Sequence, residues 1–202
     1  MEVLLIDDHP MLNAGVVSIL EQTGIFNVCG QAQSLKEAIS YIEKAKTLPS
    51  LVILDMLLGE DNGLDFLPIL ENFCKNKNVQ KPPVLVCSAL GDAFKIQTSL
   101  KLGAAGFLSK TGGKDELLKA IDTILSGKVY ISDKVDIKLK ENSSVYTKFS
   151  KREITVIYLI KLNKSNKQIA DALSISLRTV ENYISKIYFK TGFSSREEIF
   201  KL

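Results

Sequence analysis

Short runs of apolar residues recur along the first 127 residues and alternate with segments of helical period. Runs of this length are typical of strands that are buried on both faces. They lie at Val3–Ile6, Phe26–Cys29, Leu51–Leu54, Val84–Cys87 and Gly106–Leu108. Because each parallel return needs a crossover helix, the alternation predicts an α/β fold, with a doubly wound five-stranded parallel sheet over residues 1–127.

The pattern changes after residue 127. Residues 128–147 are mixed in charge and show no sustained period, and Asn142, Ser143 and Ser144 form their most turn-like point. We therefore expect a linker there. Four short amphipathic segments follow and predict a small all-α second domain over residues 148–202, with helices near residues 151–162, 167–173, 177–190 and 195–202.

Helix starts in the second domain are marked by side-chain oxygens that can accept first-turn amide protons. Three pairs have the spacing of a capping box, and Ser176 is placed to cap the remaining helix. The three pairs are Ser150 with Glu153, Ser165 with Gln168, and Ser194 with Glu197. The tight connection between the second and third helices predicts a helix-turn-helix.

The two halves of the chain differ in charge. Residues 1–127 hold 11 Lys and Arg against 15 Asp and Glu, whereas residues 128–202 hold 15 against 8. The net charge of +3 therefore divides into −4 and +7, which favours an acidic regulatory domain joined to a domain that binds a polyanion. The three cysteines lack disulfide or zinc-site spacing, and no apolar run could span a membrane, so we expect a cytoplasmic protein.

Polar residues follow the predicted strands at the ends where parallel strands meet. Asp7 and Asp8 follow the first strand, Asp55 the third, Ser88 the fourth and Lys110 the fifth. Ligands of open α/β sheets bind outside these carboxyl ends. Carboxylates in one crevice repel each other and favour a bound cation, most simply Mg²⁺. A metal that screens the approaching charges would let Asp55 attack phosphorus.

With its acidic pair, Asp, Ser and Lys each at a strand end, this half resembles the flavodoxin-like receiver domain of two-component response regulators. The resemblance implies that Asp55 is the phosphoacceptor. It also implies that Asp7, Asp8 and Asp55 hold Mg²⁺ together with the backbone carbonyl of Leu57.

The same resemblance gives roles to three residues of the later strands. Ser88 would hydrogen-bond one phosphoryl oxygen, and Lys110 would neutralise another. Phe107 occupies the aromatic position that family members reorient upon activation. Taken alone, a residue such as Phe107 is more often part of the core than a switch, and Ser88 is an ordinary strand-end hydroxyl.

Two neighbours of the acidic pair leave alternatives open. Asp8 precedes Pro10 by two residues, so it could cap a helix instead of binding a metal. His9 is the only histidine, and we expect it to be a neighbour of the pocket, not a ligand or a catalytic group. The Gly112-Gly113-Lys114 segment lacks the remaining residues of a P-loop.

The predicted third helix of the second domain has one apolar stripe, formed by Val180, Ile184 and Ile187. Together with the SKRE, SNKQIA, TVEN and GFSSR segments, this helix resembles that of the LuxR-type helix-turn-helix. The whole chain resembles the NarL/FixJ-family response regulators. The resemblance implies DNA-facing residues on this helix and phosphate contacts nearby, at Lys167, Arg178, Thr179, Glu181, Asn182, Ser185, Lys186 and Lys190.

The resulting hypothesis is a DNA-binding transcriptional regulator, not an enzyme beyond Mg²⁺-assisted phosphorylation and dephosphorylation of itself. A sensor histidine kinase would phosphorylate Asp55, and phosphorylation would promote a homodimer that binds double-stranded promoter DNA. Two alternatives remain. Glu181 on the groove-facing side could indicate a domain that binds protein, and the same carboxylates could serve a phosphoryl-transfer enzyme.

Overall fold

The computed structural model describes residues 1–89, 93–132, 148–173 and 175–202. The predicted turn at Asn142–Ser144 and most of the predicted linker lie outside these residues. The strands are β1 (Glu2–Ile6), β2 (Asn27–Ala32), β3 (Leu51–Asp55), β4 (Leu57–Leu58), β5 (Asp61–Asn62), β6 (Val84–Ser88), β7 (Gly106–Ser109) and β8 (Tyr130–Ile131). The helices are α1 (Pro10–Glu21), α2 (Leu35–Lys44), α3 (Phe66–Lys77), α4 (Ala93–Lys101), α5 (Lys114–Leu125), α6 (Lys151–Lys161), α7 (Asn166–Leu173) and α8 (Leu177–Thr191). Short 3₁₀ turns span Gly63–Asp65 and Glu197–Lys201.

The N-terminal domain is built on a parallel sheet with the strand order β2-β1-β3-β6-β7-β8. Helices connect its successive strands, which confirms the predicted doubly wound α/β fold. Within the described residues the sheet has six strands, however, and the prediction of five was wrong. The additional strand β8 pairs with β7 through Gly106–Tyr130 and Phe107–Ile131. At two residues it is too short to show a period, so the sequence pattern places it in the linker.

The central strands β3 and β6 are buried along their whole length. Apolar side chains on the two faces of the sheet belong to separate hydrophobic clusters, as a parallel sheet covered by helices on both sides requires. This burial fixes the strand register, and with it the positions of the polar residues at the carboxyl ends.

The C-terminal domain is helical, as predicted. Ser150 and Glu153 form the capping box of α6, Ser165 and Gln168 exchange the same pair of bonds, and Ser176 caps α8. The third box was wrong, because the amide of Ser194 donates to Glu198 instead of Glu197. The last segment is a short 3₁₀ turn beginning at Glu197, so the residue one position further along reaches back.

The two domains contact each other directly. Tyr158 on α6 donates its hydroxyl proton to Asp65, at 3.3 Å. Lys101 at the end of α4 donates to the carbonyl oxygen of Phe149, at 2.7 Å. Both contacts join the α3–α4 side of the N-terminal domain to α6 or the residues just before it. None of the helices in the described part of the chain is long and apolar enough to cross a membrane.

Candidate phosphoacceptor site and nucleic-acid interface

Three predicted residues meet at the carboxyl edge of the sheet. Pairing of Ile6 with Leu54 brings the ends of β1 and β3 side by side, so Asp7 and Asp55 are neighbours. Both are buried. The ammonium group of Lys110 lies 2.7 Å from Asp7 Oδ2 and 2.6 Å from Asp55 Oδ2. One lysine therefore neutralises two carboxylates that are 48 residues apart in the chain.

The electrostatics of this group follow from burial and pairing. Burial raises the pKa of Asp55, while the hydrogen bond and the positive charge of Lys110 oppose the rise. Burial lowers the pKa of Lys110, but its hydrogen bonds to the two carboxylates and their negative charges together outweigh burial, and the net shift is upward. Lys110 thus remains a cation at neutral pH. Burial also raises the pKa of the adjacent Cys87 thiol to about 12, so this thiol is not a nucleophile there.

Asp8 belongs to the acidic group and does not cap α1. His9 occupies the capping position, with no side-chain cap bond, and the carboxylate of Asp8 instead accepts from the amide of Gly59, at 2.8 Å. The capping alternative was therefore wrong. His9 Nδ1 lies 3.0 Å from Asp7 Oδ1 and 2.8 Å from Asp8 Oδ1, which makes the histidine a direct neighbour of the pocket.

The acidic group fits a divalent cation. Each of Asp7, Asp8, His9 and Asp55 offers a ligand atom, and these atoms all lie within 4.8 Å of one another. Asp8 Oδ1 is buried, and apart from the 2.8 Å approach of His9 Nδ1 it has no hydrogen-bond partner in the described part of the chain. A buried carboxylate oxygen is costly unless it is paired with a proton donor or a cation. Carboxylate oxygens are also the ligands that Mg²⁺ prefers.

The other predicted site residues lie at the same edge or next to it. Ser88 is buried at the end of β6, and its carbonyl oxygen accepts from the amide of Lys110. Leu57 follows the acidic residue of β3 and donates its amide proton to Asp55 Oδ1, at 3.3 Å. Phe107 on β7 is fully buried. Two strands therefore present the serine and the lysine to one rim of the acidic group.

Two site residues were missed by the sequence reasoning. A Cβ atom on Gly63 would lie 2.0 Å from the carbonyl oxygen of Asp55, so only glycine lets the chain pass this close. Asn13 on α1 donates its side-chain amide to the carbonyl oxygen of Asp7, at 2.7 Å. The Asn62-Gly63 pair is a turn signal and could have indicated the first residue. Asn13 looks like any polar residue of an amphipathic helix.

The predicted DNA-facing side of α8 is exposed. Val180, Ile184 and Ile187 are buried and hold the helix against α6 and α7. The opposite side carries the five residues predicted to lie on or beside the groove-facing surface, all of them exposed: Arg178, Glu181, Asn182, Ser185 and Lys186. We call this side the groove face.

The predicted phosphate contacts differ from one another. Lys167 is exposed near the start of α7, and Thr179 is half-buried, with its amide bonded to the cap residue Ser176. Lys190 instead donates to the buried carboxylate of Glu153, at 2.6 Å, and to a backbone carbonyl. A phosphate group could bind Lys190 only by competing with this internal ion pair.

An acidic sheet-edge site with an opposing lysine, joined to a helix-turn-helix, defines a receiver with a DNA-binding output domain. Residues 3–122 match the family model described as response regulator receiver domain. Residues 147–202 match the model described as bacterial regulatory proteins, luxR family. The chain therefore belongs to the two-component response regulators with a LuxR-type domain, and it is a DNA-binding transcriptional regulator.

Curated relatives share this organisation along the whole chain. The transcriptional regulatory protein LiaR of Bacillus subtilis is 27% identical over 205 residues, which cover 98% of this chain and 94% of LiaR. The Fimbriae Z protein of Escherichia coli K12 is 29% identical over 204 residues, covering 98% and 93%. RcsB of Salmonella enterica serovar Typhimurium, bound to the rprA promoter with the phosphomimetic BeF₃⁻, has the same fold, with a TM-score of 0.70, 20% identity, and coverage of 100% and 96%.

Proposed function

We propose that Asp55 accepts a phosphoryl group from a partner histidine kinase and that Asp7, Asp8, Asp55 and the Leu57 carbonyl hold Mg²⁺. In this step a carboxylate oxygen of Asp55 bonds to phosphorus as the phosphorus–nitrogen bond of the donor breaks, and the released imidazole takes up a proton. Bound Mg²⁺ would neutralise charge on the transferring group. One observation carries the proposal: the ammonium group of Lys110 lies within 2.7 Å of a carboxylate oxygen of Asp7 and of Asp55.

The residues around Asp55 have separable roles. Lys110 already reaches Asp55 Oδ2, so it can follow the new anion as a point charge. Ser88, from the adjacent strand, would donate its hydroxyl proton to a phosphoryl oxygen. Phe107 would respond when these groups move, because it lies on the strand that leads to Lys110.

The groove face of α8 would make the DNA contacts. Arg178, Asn182, Ser185 and Lys186 would read or flank base edges, while Lys167 and Thr179 would contact phosphates. We leave Lys190 out of these contacts, because its internal ion pair with Glu153 competes. Phosphorylation would favour a homodimer, and two copies would bind promoter DNA more tightly than one.

Phosphorylation is tested with Mg²⁺ and acetyl phosphate, read as the gain of one acid-labile phosphoryl group by mass spectrometry. The wild type and the Asp61→Asn control, which alters an exposed carboxylate on the neighbouring hairpin, should both gain the group. Asp55→Asn should not. Equal labelling of Asp55→Asn and wild type would overturn the assignment.

DNA binding is tested on the phosphorylated protein with a duplex of randomised sequence. The logarithm of affinity should fall with the logarithm of salt concentration by about 0.9 per phosphate contact. Lys167→Ala should make that slope shallower by about one contact. Duplex binding with no dependence on salt would contradict the proposed interface.

A further inference from the structure

The groove face of α8 carries one apolar residue that the family resemblance does not assign. Phe189 is 91% exposed and lies near the C-terminal end of the helix. Single exposed apolar side chains are common on protein surfaces, so exposure alone does not indicate a binding role. Its direction around the helix is the informative observation.

Helical geometry places Phe189 at the centre of the groove face. An α-helix turns by about 100° per residue, so Phe189 projects about 20° from Arg178 and about 20° from Asn182. It projects about 180° from Val180, which is buried in the core. The phenyl ring therefore shares the direction of the residues proposed to enter the groove.

The position of Phe189 along the helix axis extends the groove face toward the C-terminal end of α8. Phe189 lies eleven residues after Arg178, or about 16 Å along the axis at 1.5 Å per residue. Base pairs rise by about 3.4 Å, so a helix that follows the major groove would place the two side chains about five base pairs apart. Lys186 lies one turn before Phe189 and is exposed on the same surface, which keeps that end of the helix cationic.

We propose that Phe189 contacts the methyl group of a thymine at the far end of the site, about five base pairs from the position that Arg178 reads. Phenylalanine is a residue that recognises the thymine C5-methyl group in the major groove. The DNA duplex is favoured as the occupant because the ring is continuous with the groove face and because residues 128–202 carry a net charge of +7. The inference rests on the proposed groove face.

The first experiment selects bound sequences from a randomised duplex pool with full-length wild type, Phe189→Ala and Phe189→Leu. Wild type should enrich thymine at one position that Phe189→Ala leaves unselected, and Phe189→Leu should retain part of the preference. Met11→Ala is the matched control, because Met11 is 92% exposed but lies on α1 of the receiver. Identical preferences for wild type and Phe189→Ala would overturn the inference.

The second experiment removes only the methyl group. Deoxyuridine replaces that thymine in the selected duplex, and wild-type affinity should fall about three- to ten-fold, with no further loss for Phe189→Ala. If Phe189→Ala instead lowers the dimer fraction in sedimentation without DNA and leaves sequence preference unchanged, the ring faces a second copy and the inference is wrong. Wild type that binds the pool with the expected salt slope keeps the proposed function intact in either case.

Discussion

Replacing Lys110 by methionine isolates the electrostatic role of the lysine in the receiver. Methionine keeps most of the aliphatic chain and removes the ammonium group. Asp7 and Asp55 are then left facing each other without a cation, and both are buried. We expect the free energy of unfolding to fall, because the folded state must hold two unneutralised carboxylates.

The size of the loss follows from the surroundings of the three groups. The side chain of Lys110 is 11% exposed and that of Asp55 is 4% exposed. Breaking a buried ion pair by removing one partner costs about 3–5 kcal/mol. Asp7 still accepts from the amide of His9, and Asp55 from that of Leu57. These remaining donors place the expected loss at the lower end, about 3 kcal/mol.

Urea unfolding with and without Mg²⁺ measures the effect. Mg²⁺ at about ten times its Kd should stabilise the protein by about 1.4 kcal/mol. At the same Mg²⁺ concentration the gain should be larger in Lys110→Met, because Mg²⁺ binds more tightly where no ammonium group competes for the carboxylates. Lys114→Met, on the exposed start of α5, should change stability by less than about 0.5 kcal/mol. The reasoning is refuted if Lys110→Met unfolds like Lys114→Met, or if Mg²⁺ stabilises it less than wild type.

Three further outcomes are expected from urea unfolding. Tyr158→Phe should lose about 1–2 kcal/mol, because the half-buried carboxylate of Asp65 loses its donor; unchanged stability would exclude this contact. Glu153→Gln should be less stable than wild type at pH 7. Burial raises the pKa of Glu153, but hydrogen bonds to Lys190 and to the cap residue lower it, and the net shift is downward. The stability that ionised Glu153 contributes is therefore present above about pH 4.5 and is lost as the pH falls through the folded-state pKa. A stability difference between variant and wild type that does not change with pH would contradict this. Gly63→Ala should be less stable by about 2 kcal/mol or more and should label more slowly with acetyl phosphate, since its Cβ would meet the carbonyl oxygen of Asp55; wild-type behaviour in both assays would exclude that clash.

The sheet was largely predictable because burial on both faces leaves uninterrupted apolar runs. All five predicted strands are present, and each overlaps its apolar run. The sixth strand, Tyr130–Ile131, was not predictable, because it is short and is ordered by its pairing with β7. Asn163 adopts the left-handed conformation, with φ of 56°, which asparagine tolerates better than most residues.

The acidic site was predictable in membership but not in geometry. Strand ends place Asp7, Asp55 and Lys110 together on topology alone. The choice between a cap and a site residue for Asp8 needed the loop that brings the amide of Gly59 to its carboxylate. That loop begins 51 residues later in the chain, and no local pattern records such a contact.

The contact between the domains shows how the site and the DNA-binding domain are joined. The carbonyl oxygen of Asp55 lies against Gly63, which begins the 3₁₀ turn that ends at Asp65. The carboxylate of Asp65 accepts from Tyr158 on α6, and α6 packs against α8. Closely packed elements have little free space, so a shift of the backbone at Asp55 must be taken up by this turn or passed to Tyr158. The ten residues after Asp55 thus connect the proposed chemistry to the domain that carries the groove face.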